Sequence, residues 1–271
     1  MKKMAAVSLF VCLLLCCSLL FGVLSAQAVD AANRQTLLAQ ARHAYYNLRA
    51  EGLDSFECTV TPDWELLLRA ERQQNPEGAD AAIKTLRQLQ FITRLSSDSS
   101  VKLTHNDLTG QSNEMMTALR QIYSGMEQMA SGFFDTWKLF MLSPPFPAAA
   151  SEYQLERVGP RYRLSYKEDN ANVVTNMEKD FAIKDMRVST PEFDSTIRPD
   201  FARTAQGFVL NGYEADYQSQ KPEETTHLKV HMDYQEVAGL QMLQKLNLTG
   251  TYGGSSFAIE LAFGGCKVTK K

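Results

Sequence analysis

The chain is short of the residues that carry most recognisable chemistry. Its 271 residues include five cysteines and four histidines, with no Cys-x-x-Cys pair and no His-Glu-x-x-His, so the usual zinc-ligand spacings are missing. No phosphate-cradling glycine loop occurs, and Gly253-Gly254-Ser255-Ser256 lacks the Gly-x-Ser-x-Gly spacing of a nucleophile elbow. Excess positive charge is absent too. Lys and Arg number 28 against 31 Asp and Glu, a net charge of -3, whereas a grip on nucleic acid needs a basic stripe. The expectation is therefore no metal, no cofactor, no nucleic-acid partner and no enzymatic reaction. Hydrophobic residues at 44%, charged residues at 22% and aromatics at 10% exclude a disordered, collagen-like or coiled-coil chain.

What the first residues do have is a long uncharged run. Lys2 and Lys3 precede Ala5 to Leu24, which carry no charge, and the small-x-small pattern Ala26-Gln27-Ala28 follows. This is the layout of a secretory signal peptide over residues 1–28, with cleavage near Ala28 and a mature chain from Val29. The run, about 20 residues, is long enough to span a bilayer, so an uncleaved N-terminal anchor is the alternative. A lipoprotein signal fits less well, because Cys12, Cys16 and Cys17 follow Val11, Leu15 and Cys16 rather than a small residue. Removing the segment leaves 26 basic against 31 acidic residues, a net charge of -5. The expected place of work is the periplasm or the outside of the cell.

Cys12, Cys16 and Cys17 would leave with the signal, and Cys58 and Cys266 remain. An even count in an oxidising compartment reads as a disulfide. A bridge between them would close nearly the whole mature chain, which the chain-entropy account values at roughly 5 kcal/mol. Two buried free thiols are the other reading.

Periodicity divides the chain. Leu37, Leu38, Ala41, Ala44, Tyr45 and Leu48 recur at helical spacing from Asp30 to Gly52. Ser55 to Thr61 alternates as a strand with Phe56, Cys58 and Val60 on one face. Helices are expected from Pro62 through Glu71 and from about Ala79 to Leu95, with a short strand at Val101 to Thr104. A long helical stretch runs from about Gln111 to Leu142. Gly125 and Gly132 weaken it, so it reads as two helices or one bent helix, and Pro144, Pro145 and Pro147 end it. After Ser151 the period falls to two. Tyr162, Leu164 and Tyr166 alternate with charges, and so do Leu228, Val230, Met232 and Tyr234. A hairpin turns at Gly253-Gly254. His227 and His231, four apart in a strand, lie about 13 Å from each other and read as solvent-facing polar residues rather than metal ligands.

Helices first and six or more strands afterwards give an α+β fold. A curved antiparallel sheet, an incomplete β-barrel, is expected to be covered on its concave face by the N-terminal helices, in a single domain over residues 29–271. The element order over Asp30–Lys271, with the strand-rich segments Gly207–Tyr217 and His227–Phe263, resembles the LolA/LppX-like family of exported bacterial proteins. That resemblance implies a half-barrel that holds lipid or acyl chains, and in some members carries lipoproteins or lipids across the periplasm. The family carrier's inward arginine has four candidates here, Arg161, Arg163, Arg187 and Arg198.

The long helical stretch supplies the candidate ligand contacts: Met115, Leu119, Ile122, Met126, Met129, Phe133, Trp137 and Phe140. Methionine adapts its shape, so such a stripe can line a re-packable apolar cavity, or it can simply pack on the sheet. The functional expectation is a monomeric binding protein, carrier or sensor, for a lipid, acyl chain or other apolar ligand, with a transient membrane or envelope-protein partner. The alternative is a non-enzymatic interaction module whose core is filled by its own side chains.

Overall fold

The computed structural model describes residues 26–110, 112–148, 151–219 and 225–271, so the expected signal peptide over residues 1–28 lies outside the described residues except for its last three positions. The described chain builds one antiparallel sheet of thirteen strands, ordered β1-β5-β6-β7-β8-β9-β10-β11-β12-β13-β2-β3-β4. The strands are β1 Ala26–Ala28, β2 Leu53–Pro62, β3 Phe91–Leu95, β4 Val101–His105, β5 Tyr153–Val158, β6 Arg161–Glu168, β7 Ala171–Met177, β8 Ile183–Ser189, β9 Phe193–Thr204, β10 Gly207–Ser219, β11 Thr225–Val237, β12 Leu240–Tyr252 and β13 Ser255–Lys270. Nine strands, β5 to β13, pair with their neighbours in chain order. Short connections make this the cheapest way to satisfy every interior backbone group. β1 and β4 are the two edges, so the sheet is open.

The helices are α1 Ala31–His43, α2 Trp64–Leu67, α3 Arg69–Gln74, α4 Pro76–Leu86 and α5 Asn113–Met141. None in the described residues is long and apolar enough to cross a membrane. Asp30, Asp63, Asn75 and Ser112 each cap a helix by accepting a backbone N–H with the side chain. α5 runs unbroken past Gly125 and Gly132, which stand on open sides with nothing within 4 Å of where a Cβ would be. The long helical stretch is therefore one helix.

Three expected helices change. The first stops at His43 instead of running on toward Gly52, because β10 claims the next backbone groups: Phe208 N donates to Ala44 O at 2.8 Å and Tyr46 N to Phe208 O at 3.0 Å. Gly207 is required there, since a Cβ on it would stand 2.7 Å from Ala44 O. The stretch from Pro62 splits into α2 and α3 at Leu68. The third helix begins at Pro76 and ends at Leu86, and Phe91–Leu95 is a strand. Phe91, Thr93 and Leu95 alternate inward and pair with Val60, Cys58 and Phe56, a burial no solitary helix end could match.

The hairpin at Gly253-Gly254 is present. Both glycines have positive φ, +55° and +82°, between the paired Tyr252 and Ser255. Cys58 and Cys266 form the disulfide and stand 208 positions apart in sequence. β13 is β2's sheet neighbour, and its register shifts between Gly264 and Lys267, opposite Cys58. At the same place Gln235 reaches from β11, donating to Leu243 O and Phe263 O at 3.0 Å each.

Buried side chains from both halves of the chain form one apolar cluster. Helix cover is uneven. α5 buries Leu119, Tyr123, Met126, Ala130, Phe133, Trp137 and Phe140 at alternating spacings of four and three, whereas α3 buries nothing. Trp64 of α2 and the inward residues of α4 add flanking cover. The expected antiparallel sheet that does not close is present, and α5 carries the longest buried stripe of the helices.

Candidate functional site

The candidate site is the contact between α5 and the sheet. The helix places its apolar stripe over the inward residues of the strands, and the two ends of that contact differ.

Toward the C-terminal end, aromatic rings fill the space. Trp137 meets Phe56 edge-on at 6.2 Å and Phe134 at 5.8 Å, while Phe140 meets Phe201 at 5.7 Å. Phe134 also stands edge-on to Phe263 at 6.3 Å. Edge-to-face geometry at these separations is the favoured ring arrangement. Polar tips are tied off nearby. The Tyr234 hydroxyl donates to Leu210 O at 2.6 Å, and Tyr45 accepts from Ile183 N while donating to Phe181 O, both at 2.8 Å. The Trp137 indole N–H makes no well-formed hydrogen bond, with the Tyr234 hydroxyl as its electrostatic neighbour. Burial pushes the phenols of Tyr45, Tyr166, Tyr213 and Tyr234 above the usual tyrosine range, so all four are neutral at ordinary pH.

One to three turns earlier, a seam opens. Met126, Met129 and Phe133 face Val60 of β2, Leu103 of β4, Leu246 of β12, and Leu261 and Phe263 of β13. All ten lining residues are apolar. The seam is narrow: the centre of a water molecule can occupy only about 10 Å³ of it. A polar guest gains nothing there, and no more than one water fits.

The predicted contacts thus separate. Met126, Met129 and Phe133 line the seam. Leu119, Trp137 and Phe140 are packed solid, and Met115 and Ile122 are half-buried against the cluster. The far wall was missed. Its signal was nevertheless present in the alternation of Leu261 and Phe263 and in Val60, but no periodicity says which strand lies under which helix turn.

Other expected residues take surface positions. His227 and His231 pair with different carboxylates, Asp216 at 2.7 Å and Asp233 at 3.4 Å. The Asp216 carboxyl is held below its usual range by His227 first and Arg198 second. All four candidate arginines are exposed. Arg161 pairs with Glu178, Arg198 with Asp216, and Arg163 reaches Asn176, so none of them points into the interior. Among the described residues no group of three or more His, Cys, Asp or Glu side chains is placed to hold a metal. No family model, curated protein or solved structure matches this chain.

Proposed function

We propose that this protein is an exported, non-catalytic binding protein for an apolar chain such as an acyl group, held between α5 and an incomplete barrel formed by the sheet. The observation that carries this reading is the seam: ten apolar residues enclose it, two of them methionines whose unbranched side chains re-pack at little cost. The described conformation is the closed one. With only about 10 Å³ open to the centre of a water molecule, far below the roughly 300–1,000 Å³ of occupied small-molecule sites, the seam admits a ligand only when α5 lifts from the sheet. The signal-like layout of residues 1–28 supports work in the periplasm, and the element order resembling the LolA/LppX-like family supports the same ligand class.

Native mass spectrometry of gently purified protein, with displacement of a fluorescent acyl probe, is the test. The expected result is a co-purifying lipid and a probe whose binding falls in Met129→Trp, which fills the seam. Absence of both lipid and probe binding would sink the proposal. A self-filled interaction module would then be the better account, which the room for a single water already favours in part.

A further inference from the structure

The far end of α5 carries a different feature. Where the helix gives way to the Pro144–Phe146 turn, the turn and the sheet leave between them a groove of about 470 Å³. Its floor is a cross-strand row in which Tyr166 of β6 stands opposite Val173 of β7, and Val173 opposite Val188 of β8. Phe146 and Leu139 form the helix-side wall. Only three large hydrophobic side chains are strongly exposed among the described residues, and two of them border this place. Leu139, 39% exposed, lines it, and Phe193, 38% exposed, belongs to the β8–β9 turn whose Thr190 also lines it. Exposed apolar surface concentrated on a concave site marks binding rather than chance.

The rim has one sign of charge. Glu168 and Asp169, at the β6–β7 hairpin, lie on the lining, which contains no lysine or arginine. Both are exposed, and neither has an ion-pair partner among the described residues. Strand alternation turns Lys167 to the opposite face, where it pairs in register with Asn172.

We infer that this groove binds an amphiphile with a single alkyl chain and a cationic ammonium head, the chain over Val173, Val188 and Leu139 and the head against Glu168 and Asp169. The inference does not depend on the seam. Dodecyltrimethylammonium and dodecyl sulfate, both below their micelle concentrations, are titrated by calorimetry into the folded full chain. The ammonium should bind at least about tenfold more tightly, a difference of roughly 1.4 kcal/mol. Glu168→Gln with Asp169→Asn should bring the two within about threefold, and Leu139→Arg, at an exposed position, should weaken the ammonium by about tenfold or more. Equal affinity for the two head groups overturns the inference, as does ammonium binding indifferent to both variants. Loss in Met129→Trp with no loss in Leu139→Arg also overturns it and moves the ligand to the seam. Failure of acyl-probe binding with a retained ammonium preference defeats only the seam reading.

Discussion

Two successive stretches in the C-terminal part of α5, Met126–Phe133 and Phe134–Met141, share one apolar stripe, yet they sit in different surroundings. From Phe134 to Met141 the stripe meets large rings on β2, β9 and β13, with buried tyrosine hydroxyls hydrogen-bonded to backbone close by. From Met126 to Phe133 it meets mostly branched aliphatic residues, with Phe263 shared between the two stretches, and a narrow gap remains between the layers. Flat rings interlock and resist displacement, whereas methionine against leucine and valine can slide. The comparison teaches that one helical period can serve as an anchor at one end and a lid at the other, with the difference made by the far wall.

The largest effect should fall on the anchor. Trp137→Ala removes a fully buried indole and should cost about 3–5 kcal/mol in urea unfolding, whereas Met129→Ala, half-buried at the seam, should cost less than about 1 kcal/mol. Equal costs would erase the distinction between the two stretches.

Next comes the strap beneath the seam. Cys58→Ala with Cys266→Ala should lower stability by roughly 2–5 kcal/mol and raise amide exchange in β2 and β13 before it does so in β6–β9. Uniform exchange across the sheet would show that the bridge acts only on the unfolded chain.

Alkali should attack the anchored stretch. Its four buried phenols hold their protons in the folded state to a higher pH than in the unfolded chain, so their contribution is intact below about pH 10 and is lost as pH rises toward their folded values. Each should subtract roughly 1.4 kcal/mol per pH unit within that window, seen as a falling urea midpoint from pH 10 upward. A flat midpoint from pH 9 to 12 would contradict their burial. The smallest effect is expected on the outer face. His227→Gln should change stability by less than about 0.5 kcal/mol, because its pairing with Asp216 is half exposed and solvent-screened.

How far the sequence reached can be read from particular residues. Alternation in Leu228–Tyr234 and the double glycine at 253–254 specified strands and a turn, because both signals are local. Phe91 was misassigned because Leu86, Leu89 and Phe91 also fit a helical period over so short a window, and only pairing with Val60 decides between them. Of the eight candidate contacts, the stripe was legible, since burial along a helix repeats every three or four residues. Its division into anchor and lid was not.

Sequence alone determined that the chain is α+β, that a long apolar-striped helical stretch precedes the strand-rich region, and which residues along several strands share a face. These are properties of neighbours in the chain, set by backbone period and side-chain branching. Tertiary structure alone decided that β13 returns to lie beside β2, the arrangement that lets the expected Cys58–Cys266 bridge form, and that Val60 and Phe263 face Met126 across a gap while Phe56 meets Trp137. Those outcomes depend on which distant surfaces exclude water from one another most completely, and hydrophobic burial, being non-directional, leaves no mark of its partner in the sequence.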